Sequence, residues 1–93
     1  MAIAVESTFP GMTIDQYDEA IKRMGLTPGG RHPGALFHWV TATGDGVRVV
    51  DVWDSKEKWE NFAQEQLAPI SQQMGMPVPQ SRYIDVHAYM TGG

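Results

Sequence analysis

No cysteine occurs in the sequence. Disulfides, thiolate metal sites and a cysteine nucleophile are therefore excluded. The composition is compatible with a reducing cytosol, and a cytoplasmic location is the expectation. Basic residues are few: seven Lys and Arg stand against eleven Asp and Glu, a formal charge of −4. They form no stripe, so no nucleic-acid partner is expected. No apolar run approaches the roughly 20 residues that span a bilayer, so no membrane partner is expected either. The opening Met1-Ala2-Ile3-Ala4-Val5-Glu6 has no basic segment and meets an acid after a short apolar run, unlike a secretory signal. Internal repeats and low-complexity blocks are lacking. The 93 residues suit one domain spanning 1–93. Its core is small enough that burial against a second copy would add stability.

What the sequence does have is a run that changes period. Residues 47–53, Val-Arg-Val-Val-Asp-Val-Trp, are β-branched and aromatic, as a strand prefers. From Trp59 the apolar residues fall at Phe62, Ala63, Leu67 and Ile70, which is helical spacing. Asp54 at the junction, with Glu57 three residues on, predicts an N-cap and capping-box acid. A strand thus feeds a helix almost without a loop.

The other elements follow in order. Residues 2–8 alternate weakly and predict a first strand, broken at Phe9-Pro10-Gly11-Met12. Thr13 caps a helix whose stripe is Ile14, Tyr17, Ile21 and Met24, with Gly25 closing it. Residues 26–34 hold three glycines and two prolines and predict a loop, with His32 solvated or touching the mouth of a pocket. Residues 35–43 form a second strand, and Gly44-Asp45-Gly46 turns the chain into the third. Pro69 interrupts the second helix and predicts a kink or a short second segment through Met74. A Pro-rich loop then leads to a fourth strand over 82–90 and a frayed tail at 91–93. The order β-α-β-β-α-β is the ferredoxin-like α+β pattern: one four-stranded antiparallel sheet with both helices on one face.

Alternation along the strands sorts the side chains into two sets. Ile84, Val86, Ala88 and Met90 suit the underside of the helices, as do Val50 and Val52. Tyr83, Asp85, His87 and Tyr89 then take the second face, with Val49, Asp51 and Trp53. A two-residue Asp45-Gly46 turn sets His38 opposite Trp53 and Val40 opposite Asp51, with Leu36, His38 and Val40 on that same second face. A three-residue loop slips the register by one and sends His38 to the helix side. The Asp-Gly pair favours the first. The resulting face is too apolar to leave wet, so a homodimer burying it is expected, with a cavity between the two sheets.

His87 and His38 are the candidate proton-transfer groups, because imidazole titrates near neutrality. Asp51 or Asp85 can orient an imidazole, and Tyr83 or Tyr89 can polarise a carbonyl or phenol. Leu36, Val40, Val49, Trp53, Tyr89 and Asp85 are the candidate ligand-lining residues. Histidines and tyrosines satisfied within a dimer interface account for the same pattern. His38, His87 and Asp51 also contain the residue types of a two-histidine, one-carboxylate metal site, but strand spacing makes that poorly specific and no metal is assigned. Trp39, Trp59, Phe62, Ile14, Tyr17 and Ile21 are expected in the core. The charges Lys56, Glu57, Lys58 and Glu60 read as a solvated helix face.

The element order, the tyrosine-rich last strand and the strand-to-helix run with Trp53, Ser55 and Glu57 resemble the dimeric α/β-barrel superfamily. Within it the likeness is to small proteins of the antibiotic biosynthesis monooxygenase type. That resemblance implies a homodimer with a ligand pocket in each subunit. Characterised relatives oxygenate polyketide anthrones without metal or flavin; others degrade haem, or cyclise or isomerise small organic substrates. The haem-degrading branch pairs a strand-three Trp with a His in the second helix, and residues 55–74 contain no His. The expected function is therefore binding of a small hydrophobic, aromatic or polyketide-like molecule, with cofactor-independent monooxygenation by His87 and His38. The alternatives are an acid–base isomerase or cyclase using histidine and tyrosine, and a non-catalytic ligand-binding or structural dimer.

Overall fold

Burial alternates strictly along the first strand: Ile3, Val5, Ser7 and Phe9 are buried, and the residues between them are less so. Such a strand has one face against a layer of helices. The computed structural model describes residues 2–27, 32 and 34–90. It contains β1 (Ile3–Pro10), α1 (Ile14–Arg23), β2 (Ala35–Thr43), β3 (Gly46–Trp53), α2 (Lys56–Phe62), α3 (Ala68–Met74) and β4 (Gln80–Asp85). The four strands form one antiparallel sheet in the order β2-β3-β1-β4, as the ferredoxin-like pattern requires. No helix among the described residues is long and apolar enough to cross a membrane. Part of the expected loop, residues 28–31 and 33, and the expected tail at 91–93 lie outside the described residues.

The helices begin where short polar side chains can accept from free backbone N–H groups. Thr13 and Gln16 form a reciprocal capping box on α1. On α2 the cap is Ser55, whose hydroxyl accepts from the Lys58 N–H, and not Asp54 as expected. Asp54 instead pairs with Lys58 at 2.9 Å, which holds its carboxyl below the usual range. Pro69 does disturb the second helix, and the disturbance is a widened turn. Residues Ala63–Leu67 wind as a π-helix, with the Ala68 N–H donating to the Ala63 carbonyl. The wide turn takes up the proline that follows it, whose ring crowds the preceding turn and which has no N–H to give. Gly75 ends α3 at φ +61°, and the Met76 N–H returns to the Ser71 carbonyl. This left-handed stop folds Met76 back toward the core.

Register decides which side chains share a face, and here it corrects the sequence reading. The β2–β3 turn uses Gly44 and Asp45, so Thr43 pairs with Gly46 and His38 stands directly opposite Asp51. Both readings use a two-residue turn. The pairing moves by two residues, and His38 and Asp51 still share a face. That face is the helix side. Val47, Val49, Asp51 and Trp53 are buried beneath the helices, while Val50 and Val52 point to the opposite, outer face. Val5 pairs with Tyr83, so Tyr83 also lies on the helix side and Ile84 on the outer one. Strand β4 ends at Asp85, because β1 begins at Ile3 and leaves no ladder beyond one bond from the Val86 N–H to the Ala2 carbonyl. His87 and Tyr89 are therefore past the strand and exposed.

Two apolar clusters fill the helix side. Trp53 and Trp59 pack with Ile3 and Val5, and Phe9 and Met12 pack with Val47 and Val49. Among the described residues nothing covers the outer face. Phe37 is 55% exposed, Trp39 44% and Ile84 42%. Trp39, expected in the core, is thus on the opposite side of the sheet. Gly46, the first residue of β3, meets the backbone of β1 so closely that an added Cβ would stand 2.3 Å from the Phe9 carbonyl oxygen. Gly46→Ala should cost about 2 kcal/mol by overpacking, read as a lower denaturant midpoint with unchanged slope. Wild-type stability in that variant would show that the β1–β3 contact yields freely.

Candidate functional site

A carboxylate has been placed in the most apolar part of the fold. Asp51 sits mid-strand in β3 with its side chain only 6% exposed. It must therefore find partners. Its cross-strand neighbour His38 supplies one, through a hydrogen bond between Nδ1 and the Asp51 Oδ1. The other imidazole nitrogen, Nε2, is 2.6 Å from the Tyr17 hydroxyl on α1. An ionised carboxylate can only accept, so the Nδ1 proton is the one donated to Asp51. Nε2 then accepts from the Tyr17 O–H. The three side chains form a continuous chain from helix to sheet: Tyr17, His38, Asp51.

The helix stripe that carries Ile14 and Ile21 also aims Tyr17 at the sheet. Burial, then the charges of Asp51 and Asp18, pushes its phenol up to about 12. At neutral pH Tyr17 is a neutral hydroxyl and holds its proton toward His38. Its oxygen keeps lone pairs for a second donor, and so a proton arriving at Tyr17 can be passed on as Tyr17 gives its own to His38.

Tyr17, His38 and Asp51 open on a cavity of about 50 Å³ between the sheet and the helices. That holds a few water molecules. Ser7 adds a hydroxyl from β1, and most of the remaining wall is apolar, with Phe9 from β1, Val49 from β3, Ile21 from α1, and Phe62 and Leu67 from the second helix. Met12, Met24 and Met76 also line it, and such unbranched side chains give way readily. The π turn places Leu67 there. His32 reaches the same cavity from the loop before β2, its ring centroid 5.3 Å from that of His38 and 4.8 Å from that of Phe62.

The residues named from the sequence divide accordingly. His38, Asp51 and Val49 meet in this cavity, inside one chain and under the helices, whereas the expected cavity lay between two sheets. Trp53 is 1% exposed, packs on Trp59 and Phe62, and does not line this cavity. Tyr83 accepts a hydrogen bond from the Trp59 indole N–H at 3.2 Å and lies under Lys56, which docks α2 on β4. Val40 packs beside Phe9 and Val49 without lining the cavity, and Leu36 falls at a bulge in β2. Asp85 is exposed at the end of β4, and His87 and Tyr89 beyond it stand in solvent. His87 stands apart from His38 and Asp51. No cluster of three metal-binding side chains exists among the described residues. The bond from Tyr17 to His38 was not foreseen, because the place of Tyr17 in an apolar helical stripe matches a core residue equally well.

No protein-family model matches the sequence, and no match is found among curated proteins. Solved structures do match over nearly the whole chain. A protein of unknown function from Nitrosomonas europaea superposes with a TM-score of 0.74 at 11% identity, covering 99% of this chain and 95% of that one. SnoaB, a cofactor-independent oxygenase from Streptomyces nogalater, matches with a TM-score of 0.61 at 14% identity, covering 98% and 97%. The ActVA-Orf6 monooxygenase from Streptomyces coelicolor, solved with nanaomycin D, matches with a TM-score of 0.55 at 20% identity, covering 99% and 92%. The chain thus has the ferredoxin-like fold of the antibiotic biosynthesis monooxygenase-type proteins, and at these identities the likeness carries the fold alone.

Alkaline titration of phenol absorbance, taken as wild type minus Tyr17→Phe, should isolate one tyrosine with a midpoint near pH 12. A raised folded pKa means that the contribution of Tyr17 to stability is full below about pH 10 and is lost as pH rises through 12. Tyr17→Phe should therefore flatten the loss of stability across that window. A difference titration centred at pH 10 would show that the phenol is neither buried nor beside Asp51.

Proposed function

We propose that this protein is a cofactor-independent monooxygenase acting on a small, hydrophobic aromatic molecule with an acidic C–H or enol O–H. The observation that carries this reading is the hydrogen-bonded chain Tyr17–His38–Asp51 opening on an apolar cavity. The fold shared with SnoaB and the ActVA-Orf6 monooxygenase supports it by analogy. In the Tyr17 relay, the substrate proton passes to the Tyr17 oxygen as the Tyr17 proton passes to His38 Nε2. The Asp51 carboxylate stabilises the imidazolium that results. No free phenolate need form, so the high pKa of Tyr17 is no obstacle.

The carbanion left behind is electron-rich and can give one electron to dioxygen. Recombination of the radical pair makes a C–O bond and a peroxide. For an anthrone-type substrate, the ring methylene and one dioxygen become a ring carbonyl and one water. The carbon loses four electrons and the two oxygen atoms gain them, so no external reductant, metal or flavin enters. A flat ring system is larger than this cavity, so its admission requires the lining Met12, Met24 and Met76 to move aside. An acid–base isomerase remains the second reading, because a neutral phenol beside an imidazole is also a keto–enol catalyst.

The reading includes a homodimer. The outer sheet face, with Phe37, Trp39, Val50, Val52 and Ile84, buries against a second copy and so leaves water. The interface consequently differs in residues from the face expected to pair, which carried Val49 and Trp53.

Oxygen uptake with 1,8-dihydroxyanthrone is the direct test. His38→Gln and Asp51→Asn should fold and lose turnover by ~10²-fold or more. Anaerobic deuterium exchange into the methylene, without oxygen uptake in air, would instead favour the isomerase. Absence of both would end the enzymatic reading. For the interface, Phe37→Lys with Trp39→Lys should weaken association at least ~30-fold in light scattering while retaining the native circular dichroism spectrum. Unchanged association places the interface elsewhere.

A further inference from the structure

The cavity holds two imidazoles, and the relay uses only one. Both nitrogens of His38 are engaged, with Asp51 and Tyr17. His38 can receive the first substrate proton through Tyr17, but oxygenation also requires a proton delivered to the peroxide. His32 lines the same cavity. Its ring lies 5.3 Å from His38, 4.8 Å from Phe62 and 5.4 Å from Trp53, measured between centroids. These contacts seat the ring beside His38, and the Asp51 carboxylate lines the same cavity.

We infer that His32 is a second proton-transfer group of this site, acting on the oxygen side of the reaction while Tyr17 and His38 act on the carbon side. The inference rests on the oxygenase reading given above. Protons and electrons balance around the cycle. The first C–H proton reaches His38 through Tyr17, and the carbanion and dioxygen combine as a peroxide anion on the ring carbon. His32, carrying the proton it took from carbon in the preceding turnover, gives it to the distal oxygen, forming the hydroperoxide. Neutral His32 then takes the second C–H proton as the C=O bond forms and the O–O bond breaks. The departing hydroxide takes the proton held by His38 and leaves as water. Both histidines return to their starting forms, and four electrons have passed from carbon to two oxygen atoms.

Without that proton donor the peroxide anion reverts to a carbon radical and superoxide. Two carbon radicals couple to a dimer, and two superoxides with two protons give hydrogen peroxide and dioxygen. The test is therefore a product ratio. Wild-type protein with 1,8-dihydroxyanthrone should give one quinone per dioxygen consumed. His32→Phe keeps a ring against Phe62 and Trp53 but carries no proton, and His32→Gln removes the ring as well. Both variants should continue to consume oxygen, with quinone per dioxygen falling at least ~10-fold and hydrogen peroxide and the coupled dimer appearing in its place. Anaerobic deuterium exchange into the methylene reports the carbon side separately, and an exchange rate that falls as far as the quinone ratio would mark a general defect of the site and overturn the inference. If His32→Phe restores the quinone ratio that His32→Gln loses, His32 is packing only and the inference fails. It fails equally if neither variant changes the ratio. Wild-type protein that exchanges deuterium but consumes no oxygen overturns the oxygenase reading, and this inference with it.

Discussion

A buried carboxylate sets the terms for this fold. Asp51 lies mid-strand beneath two helices, and an ionised group there is tolerated only if its neighbours donate to it. His38 meets that demand because the β2–β3 register places it directly across the ladder. The imidazole, once turned toward Asp51, presents its second nitrogen toward α1, where Tyr17 completes the chain. Each partner is on a different element. The hairpin turn, the strand pairing and the seating of α1 must all be right for any one of these bonds to form. The same constraint that makes Asp51 costly thus makes its surroundings specific.

Much of the fold was legible in the sequence. The change from alternating to helical spacing between Val47 and Leu67 marks a strand feeding a helix, and the full order of elements follows from similar transitions. The disturbance at Pro69 was also foreseeable, since a proline there removes a donor whatever the context. The faces were not legible. Alternation divides a strand into two sets but says nothing about which set is inside. In β3 the sets are Val47, Val49, Asp51, Trp53 and Arg48, Val50, Val52, both largely apolar. Burial on one side and exposed apolar surface on the other are both present, so composition could not choose. The clearer signal was in β1, where Ile3, Val5 and Phe9 alternate with Ala4, Glu6 and Thr8. Pairing β1 with β3 would have carried that polarity across to Asp51.

The candidate site was half visible for the same reason. His38 and Asp51 belong together under any two-residue turn, and that parity argument survives the move of the turn from Asp45-Gly46 to Gly44-Asp45. His87 lies past β4, where a strand was expected, because strand length depends on the partner. Residues 82–90 alternate cleanly, yet a strand persists only where another backbone offers a ladder, and β1 begins at Ile3. Tyr17 was hidden by its neighbours: Ile14 and Ile21 make its position look like core. A phenol in such a stripe is the residue to question, because a buried hydroxyl needs a partner and an isoleucine does not.

Strand β3 ties the two faces of the sheet into one problem. Its period of two sends Val49 and Asp51 into the cavity and Val50 and Val52 to the outer face, with no residue between to buffer them. Any contact that packs Val50 and Val52 also fixes the backbone from which Asp51 and its bond to His38 hang. β2 repeats the arrangement, with Trp39 outward beside His38 inward. A homodimer through the outer face would therefore do more than cover apolar surface. It would stiffen the two strands from which His38 and Asp51 hang, and the proposed proton transfer would be sensitive to displacements well under an ångström. An apolar outer face and a polar chain on the inner one are then two requirements placed on the same short strands, which is why neither face can be altered without consequence for the other.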